Sequence, residues 1–252
     1  MDPIISHNDT RGVDDLLGID WRKAWIEREC TRSVPDSAQA WDKRAKEYSV
    51  SAGASSYVDS FISCLAPEQG VSILDMGSGS GTLALPLARR GYTVMAVDFS
   101  SGMLEVLREA ARAEGLSSIR CVQLDFNAPW SDWEAAGITD NCVDIAVASR
   151  SAIVDDLWVA LEKLERAART KVAVTMVTEY SPRSTKRMGA VIDGGSPYIP
   201  DYIYAINVLL QMGRYPSVCY IDSDKTDEHG RTKLIRWAFI SWDVRPKTPI
   251  LQ

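Results

Sequence analysis

Residues Ile73–Gly81 read ILDMGSGSG, and this stretch decides the fold. An apolar run that is typical of a buried strand leads to Asp75, and glycines follow at positions 77, 79 and 81. Glycine adopts positive φ angles without strain and lets the backbone approach a ligand closely. Because ligands bind beyond the carboxyl ends of the strands in parallel sheets, the stretch predicts a strand, a ligand-binding turn and then a helix.

Strand-like and helical patterns alternate around and after this stretch. Strands are predicted at Ser72–Met76, Thr93–Val97, Ile119–Leu124, Val143–Ala148 and Lys171–Val177. Helices between them are predicted at Leu83–Arg90, Met103–Glu114 and Asp155–Ala168. Strands that alternate with helices in this way indicate a parallel sheet of βαβ units.

The last third of the chain follows a different pattern. Asp201–Met212 has the apolar content of a buried helix, and strand-like runs follow at Val218–Asp222 and Ile235–Trp242. The polar segment between these two runs contains no helix, which indicates an antiparallel hairpin. The predicted fold is therefore an α/β three-layer sandwich, in which a seven-stranded, mostly parallel sheet ends in an antiparallel hairpin.

Two segments lie outside this alternation. Residues 1–60 are predicted to form an N-terminal helical cap on a core at 61–252. Within that core, an insert at about 179–215 begins with a stretch rich in serine, proline, glycine and basic residues. Its position predicts a cover over the substrate.

Composition narrows the classes of function. The chain has 252 residues, of which 46% are hydrophobic, and this is enough for a core without disulfide or metal staples. A net charge of −6 disfavours a protein that binds nucleic acid over a wide surface. Apolar runs such as Val172–Val177 are far shorter than the ~20 residues that a membrane span needs. The partners predicted are small molecules, without nucleic acid or membrane.

The cysteines and the N-terminal residues bear on the compartment. The five cysteines are widely separated, and no Cys/His cluster has the spacing of metal ligands. Met1–Asp9 lacks the basic and apolar segments of an export signal. A reduced, cytoplasmic protein without a metal site is therefore predicted.

Acidic residues stand at the ends of three successive predicted strands, as Asp75, Asp98 and Asp125. A carboxylate at the first position can hold an ammonium group and would repel a pyrophosphate. Together with the glycine pattern, these residues resemble the class I S-adenosylmethionine-dependent methyltransferases, whose first motif reads D-x-G-x-G-x-G. The resemblance covers roughly residues 41–245 and implies S-adenosylmethionine as the cofactor.

The resemblance implies a role for each residue of the motif region. Asp98 would bind both ribose hydroxyls, Phe99 and Met103 would flank the adenine, and Asp125 would accept its amino group. The residues themselves leave other roles open, because Asp125 could cap its own loop and Met103 could pack in the core. The full set of cofactor-binding candidates is Asp75, Gly77, Gly79, Gly81, Asp98, Phe99, Met103, Asp125, Phe126 and Ser149.

Candidates for the substrate site come from other segments. Trp41–Tyr48 resembles the entry segment of small-molecule methyltransferases of the quinone-biosynthesis type, which implies that Arg44 or Tyr48 meets the cofactor's carboxylate. An amphipathic helix packed on the sheet is the alternative. Arg150, after the fourth strand, could hold an anionic acceptor or pair with Asp155 or Asp156 at the surface. Tyr198 and Tyr202 are further candidates in the insert, where a solvated loop is the alternative.

The predicted function is transfer of a methyl group from S-adenosylmethionine to a small-molecule acceptor, with basic candidates that suit an anionic one. The N/D-P-P-Y/F motif of amide and adenine methylation is absent after the fourth strand. Two alternatives stay open. The first is an NAD-dependent oxidoreductase, because Gly79, Gly81 and Ala84 also satisfy the relaxed dinucleotide pattern. The second is a cofactor-binding regulatory protein without catalysis, since no general base is evident. A monomer or a homodimer fits equally.

Overall fold

The seven-stranded sheet is the centre of the molecule. A computed structural model describes residues 18–30, 37–48, 56–178, 199–226 and 232–244. The strands are β1 (Ser72–Met76), β2 (Thr93–Asp98), β3 (Ile119–Gln123), β4 (Val143–Ser149), β5 (Ala168–Val177), β6 (Ser217–Thr226) and β7 (Thr232–Asp243). Their order in the sheet is β3-β2-β1-β4-β5-β7-β6. The first five are parallel, and β7 runs antiparallel to β5 and β6, so the predicted fold is confirmed.

Helices cover both faces of this sheet. They are α1 (Trp21–Cys30), α2 (Ala38–Tyr48), α3 (Ser56–Leu65), α4 (Ala84–Arg89), α5 (Ser101–Ala113), α6 (Trp130–Ala135), α7 (Leu157–Ala167) and α8 (Asp201–Gln211). The helix α6 was not predicted. The helix α3 runs across residue 60, which was predicted to separate the cap from the core.

Each face of the sheet has its own hydrophobic core. Strand side chains point alternately to the two faces, so Ile73 joins one cluster of buried residues while Leu74 and Met76 join the other. Helices α3, α4 and α5 supply the cluster around Ile73, and α1, α6, α7 and α8 supply the cluster around Leu74. These two cores and the sheet between them form the predicted three layers.

The helix α1 is held on the second face by aromatic and ionic contacts. The indole of Trp25 is fully buried, and its Nε1–H donates to the carbonyl oxygen of Val154 at 2.7 Å. The guanidinium of Arg28 lies 4.4 Å from the ring centroid of Trp25 and 4.5 Å from that of Tyr204. It also forms an ion pair of 2.9 Å with the buried Asp201. These contacts fix α1 to the first turn of α8 and to the segment after β4.

The described part of the predicted insert is a core helix. In α8, Ala205, Val208 and Leu209 are fully buried against the sheet. Residues 179–198 lie outside the described residues, so the substrate cover expected there stays a prediction. Among the residues that the structure describes, no helix has the length and apolarity to cross a membrane.

Candidate cofactor and substrate site

The glycine turn after β1 is folded back onto the end of β2. The N–H groups of Gly77 and Ser78 both donate to the carbonyl oxygen of Val97, at 2.7 and 2.9 Å. Gly77 and Gly79 have φ angles of +74° and +54°, which side chains disfavour. A Cβ at Gly77 would lie 2.3 Å from that of Ser151, whereas a Cβ at Gly79 would meet nothing within 4 Å. Gly79 therefore faces open space, where a ligand can approach its backbone.

A cavity of about 270 Å³ opens at the carboxyl ends of the parallel strands. Of the predicted cofactor-binding residues, Asp75, Gly77, Gly79, Asp98, Phe99, Met103, Asp125, Phe126 and Ser149 line it, and so does Arg150. Gly81 does not line it. At φ +95°, a Cβ on Gly81 would lie 2.4 Å from the side chain of Leu107, so this glycine lets α5 pack closely.

Asp75 is a buried carboxylate that lacks a partner for one oxygen. Its side chain is 1% exposed, and Oδ2 has no hydrogen-bond partner among the described residues. Burial and the charge of Asp98 raise the pKa of Asp75 from 3.8 to about 7, although Arg150 and the N–H of Ala84 act in the opposite direction. A buried acceptor without a donor costs free energy. A ligand's ammonium group would supply that donor.

Asp98 ties the glycine turn to the start of α5. Its Oδ2 accepts from the N–H of Gly79 at 2.8 Å, and its Oδ1 accepts from the N–H of Ser100 at 2.9 Å. The carboxylate is buried yet lines the cavity, so ligand hydroxyl groups can reach it. One side chain thus sets the shape of the turn and presents a negative charge to the ligand.

The end of β3 forms the apolar side of the cavity. Met103 is 2% exposed and lines the cavity, so it packs in the core, and its contact with the adenine stays a prediction. Asp125 also lines the cavity while its Oδ1 accepts from the N–H of Asn127 at 2.8 Å, which is the loop-capping role. Lys163, which sequence patterns did not single out, donates from Nζ to the carbonyl oxygens of Phe126 and, at 2.9 Å, Ala128. These two hydrogen bonds hold the loop that follows β3 against α7.

The helix α2 lies beside the end of β2. The carboxylate of Asp42 accepts from the Ser100 hydroxyl at 2.6 Å and from the N–H of Gly102 at 2.8 Å, and so caps α5. A Cβ at Gly102 would come within 3.1 Å of Asp42, so a glycine suits this close approach. Trp41 lines the cavity. The side chain of Tyr48 lies outside the described residues.

Arg150 lines the cavity on the β4 side, across β1 from β2 and β3. Its backbone φ is +59°, and its guanidinium lies 4.5 Å from the ring centroid of Tyr57 and 5.7 Å from that of Trp237. Below it, the Tyr57 hydroxyl forms hydrogen bonds of 2.7 Å with both Ser149 and Thr175. Burial raises the pKa of the Tyr57 hydroxyl. This side therefore combines one cation, two aromatic rings and a protonated phenol.

A comparison with known families identifies the domain that contains this cavity. A family model described as "Methyltransferase domain" matches residues 73–171, which run from β1 into β5 and include the glycine turn and all three acidic strand ends. The chain carries a class I S-adenosylmethionine-dependent methyltransferase domain. The prediction of S-adenosylmethionine as the cofactor is confirmed with it.

The curated relatives that match this chain carry different names. An uncharacterised protein of Haemophilus influenzae is 32% identical over 188 residues, which are 73% of this chain and 66% of that protein. A ubiquinone biosynthesis O-methyltransferase of Paracidovorax citrulli is 27% identical over 52% of this chain and 61% of its own. The chain thus spans less than two thirds of the length of these relatives. Shorter matches carry the names of release factor and ribosomal RNA methyltransferases.

A solved structure confirms the fold. An S-adenosylmethionine-dependent methyltransferase of Aquifex aeolicus superposes with a TM-score of 0.56 at 16% identity. The superposition covers 84% of this chain and 100% of that chain.

The orphaned oxygen of Asp75 and the open space above Gly79 fit the ammonium group and the body of the cofactor. These features favour the methyltransferase over the oxidoreductase alternative.

Of the two remaining substrate candidates, only Tyr202 is among the described residues. Tyr202, on α8, packs its ring 6.4 Å from that of Tyr220 on β6 and is not among the described residues that line the cavity. Tyr198 lies outside the described residues. Within the described ranges, no three His, Cys, Asp or Glu side chains come together as a metal site.

Proposed function

We propose that this methyltransferase transfers the methyl group of S-adenosylmethionine to a small anionic molecule that binds beside Arg150. The observation that carries the proposal is a cavity-lining guanidinium which stacks on two aromatic rings and forms no hydrogen bond with a described residue. Arginine presents its donors as a planar fork that matches a carboxylate or a phosphate. The donors of Arg150 are thus available to an anion in the cavity.

The proposed arrangement of the cofactor follows the order of the strands. Asp75 is the penultimate residue of β1, Asp98 ends β2 and Asp125 follows β3, and these three strands are neighbours in the sheet. Asp75 would hold the ammonium group, Asp98 the ribose hydroxyls, and Asp125 with Phe99, Met103 and Phe126 the adenine. Arg150 follows β4 on the other side of β1. The acceptor is therefore proposed on the β4 side of the cavity.

The bound cofactor supplies a methyl group on a positively charged sulfur, which is a good leaving group. What remains for the protein is to align the acceptor and exclude water. Arg150 would orient the anion, while the rings of Tyr57 and Trp237 would exclude water from the guanidinium that they contact. The Tyr57 hydroxyl is engaged by Ser149 and Thr175, and its raised pKa keeps it protonated. It is therefore a positioning group in this proposal and not a general base.

Charge and cavity size support a small acceptor. The net charge of −6 opposes binding to a polyanion such as ribosomal RNA. The cavity has a volume of about 270 Å³, and the apolar side chains of Trp41, Ile153 and Val154 are among those that line it. A reducing, cytoplasmic location stays a prediction from the unpaired cysteines, and so do the monomer and homodimer as alternative assemblies.

Calorimetric titration with S-adenosylhomocysteine tests the cofactor part of the proposal. We expect micromolar binding of S-adenosylhomocysteine and no binding of NAD, because Asp75 would repel a pyrophosphate. NAD binding in the absence of S-adenosylhomocysteine binding would restore the oxidoreductase alternative. Binding of S-adenosylhomocysteine without turnover of any anionic acceptor would favour the regulatory protein.

A variant of Arg150 tests the acceptor part. Asparagine tolerates the left-handed backbone at this position, so Arg150→Asn removes the charge with little strain. Carboxylated and phosphorylated small molecules are first screened against the parent protein with a labelled methyl donor. For an acceptor found in that screen, Arg150→Asn should raise KM about 10- to 100-fold, as a lost charged hydrogen bond of ~1.5–3 kcal/mol predicts. Arg150→Lys should retain part of the affinity.

The same variant separates the acceptor from the cofactor. Because the charge of Arg150 lowers the pKa of Asp75, the comparison is made at pH 9, where both proteins keep that carboxylate ionised. The affinity of Arg150→Asn for S-adenosylhomocysteine should then stay within about threefold of the parent. A large loss for S-adenosylhomocysteine, with no loss for 5′-methylthioadenosine, which lacks the amino acid part, would contradict the proposal. Arg150 would then bind the cofactor's carboxylate.

A further inference from the structure

The thiols of Cys64 and Cys219 lie in contact, although 155 positions separate them in the chain. Cys64 is near the end of α3, Cys219 is on the edge strand β6, and their Sγ atoms are 2.9 Å apart. Both side chains are partly exposed. Nothing in the spacing of the five cysteines along the sequence indicates this contact, because only the packing of α3 on the hairpin creates it.

Aromatic packing fixes the position of both sulfurs. Cys219 is paired with Phe239 across the β6–β7 ladder. The ring of Phe239 packs against that of Phe61 with a centroid distance of 5.1 Å, and both rings are buried. Phe61 and Cys64 are three residues apart and so share one face of α3. The buried aromatic pair therefore holds Cys64 over Cys219.

We infer that Cys64 and Cys219 form a reversible oxidation site, at which an intramolecular disulfide joins α3 to β6. A disulfide S–S bond is about 2.05 Å long, so the two sulfurs need to approach by only roughly 0.9 Å. The inference is independent of the proposed function, because neither cysteine lines the cavity. Its experiment measures thiols and not activity.

The reaction needs an oxidant, and a small disulfide such as glutathione disulfide can provide it. The thiolate of one cysteine attacks a glutathione sulfur, and one glutathione leaves as a thiol. The second cysteine then displaces the remaining glutathione from the mixed disulfide. Two protein S–H bonds and one glutathione S–S bond are lost, while one protein S–S bond and two glutathione thiols are formed.

The protonation of the pair sets the pH dependence of this reaction. Burial and the adjacent Cys64 raise the pKa of Cys219 to about 12. Cys219 is therefore a thiol near neutral pH, and its thiolate is scarce. Oxidation should become faster as the pH rises from 7 to 9.

The cross-link would act on the helix that supports Arg150. Tyr57 lies two helical turns before Cys64 on α3. The ring of Tyr57 packs against the guanidinium of Arg150, and the Tyr57 hydroxyl forms hydrogen bonds with Ser149 and Thr175. A disulfide at the other end of α3 would therefore anchor the helix whose Tyr57 supports the cavity-lining Arg150.

Thiol counting on the full chain tests the inference. The protein is reduced, freed of reductant, incubated with glutathione disulfide at pH 8, and then alkylated with a maleimide. Intact mass should show two fewer alkylated thiols than the five of the reduced chain, and peptide mapping should join Cys64 to Cys219. The thermal midpoint should rise by several degrees and return to its initial value after reduction.

Single substitutions provide the controls. Cys64→Ser and Cys219→Ser should each form no internal disulfide and show no thermal shift with the oxidant, while Cys142→Ser should behave as the parent. Retention of all five thiols in the parent would overturn the inference. A linkage through Cys30, Cys121 or Cys142, or a mixed disulfide that never closes, would overturn it as well.

Discussion

The Asp75→Asn variant should be more stable than the parent at pH 8 and should bind S-adenosylhomocysteine at least tenfold more weakly. Asp75 is 1% exposed, and its Oδ2 has no partner among the described residues. Its ionised form is therefore costly in the ligand-free protein. Asparagine keeps the shape and removes the charge. The same change deletes the charge that is proposed to hold the ligand's ammonium group, at a cost of ~1.5–3 kcal/mol.

The pH window of this effect follows from the raised pKa. The pKa of Asp75 is about 7 in the folded protein and near 3.8 in the unfolded chain. Between these values the folded state binds the proton more tightly, so the stability that protonated Asp75 contributes is present below pH 3.8 and is lost as the pH rises through 7. The pKa difference corresponds to ~4 kcal/mol. Asp75→Asn should recover a large part of this at pH 8 and little at pH 4.

Urea unfolding of both proteins at several pH values measures this gain. A stability difference between parent and variant that does not change from pH 5 to pH 8 would show that Asp75 is ionised without cost. In the parent, the affinity for S-adenosylhomocysteine should fall about tenfold per pH unit below 7. Binding of 5′-methylthioadenosine, which has no ammonium group, is the control and should not show this dependence.

The Asp98→Asn variant should lose two to four orders of magnitude in affinity for S-adenosylhomocysteine. Two ribose hydroxyls are proposed to donate to this carboxylate, and each bond to a charged acceptor is worth ~1.5–3 kcal/mol. The carboxylate also accepts from the N–H groups of Gly79 and Ser100, so its loss loosens the glycine turn. Titration calorimetry measures the affinity, and circular dichroism checks that the variant is folded.

Asp42→Asn is the matched control for Asp98. Asp42 accepts from the Ser100 hydroxyl and from Gly102 at the same end of α5, but it does not line the cavity. Its substitution should disturb the helix end and change the affinity less than tenfold. Equal losses in the two variants would mean that helix capping, and not ribose binding, explains the effect. An unchanged affinity in Asp98→Asn would contradict the proposed ribose contact.

Sequence patterns predicted the sheet because its strands are short apolar runs with clear ends. The largest error in a parallel strand is at β5, which begins at Ala168 and not at Lys171. The helix α7 passes directly into β5 without a loop, and the polar residues Arg169 and Thr170 conceal the start. Both contact Asp144 at the start of β4, through an ion pair of 2.9 Å and a hydrogen bond of 2.8 Å.

The helix α6 was not recognised from sequence because it is short and, unlike the equally short α4, does not directly follow a motif that predicts a helix. Trp130–Ala135 has six residues, fewer than two turns, so no periodic apolar pattern can develop. Tertiary packing stabilises it instead, because Trp133 is fully buried and the ring of Trp130 stacks on it at 5.6 Å.

In the candidate site, too, some features could be predicted from the sequence and others could not. The cofactor-binding candidates are local in sequence, since acidic residues and glycines follow predictable strand ends. The surroundings of Arg150 are not local, because Tyr57 and Trp237 come from α3 and β7. The cap that Asp42 provides for α5 and the support that Lys163 gives to the Phe126 loop also join distant segments. Such contacts leave no periodic signal in the chain.

The order of the last two strands bears on how the protein is completed during synthesis. β7 lies between β5 and β6 in the sheet, although β6 comes first in the sequence. β6 therefore cannot join the sheet until β7 has been synthesised. Until residue 243 has left the ribosome, the segment Lys171–Val177 keeps one unpaired edge. An open apolar edge invites pairing with other chains. The strands that carry the cofactor candidates are complete well before that edge is closed, so a nascent chain can meet its cofactor while the final hairpin is still missing.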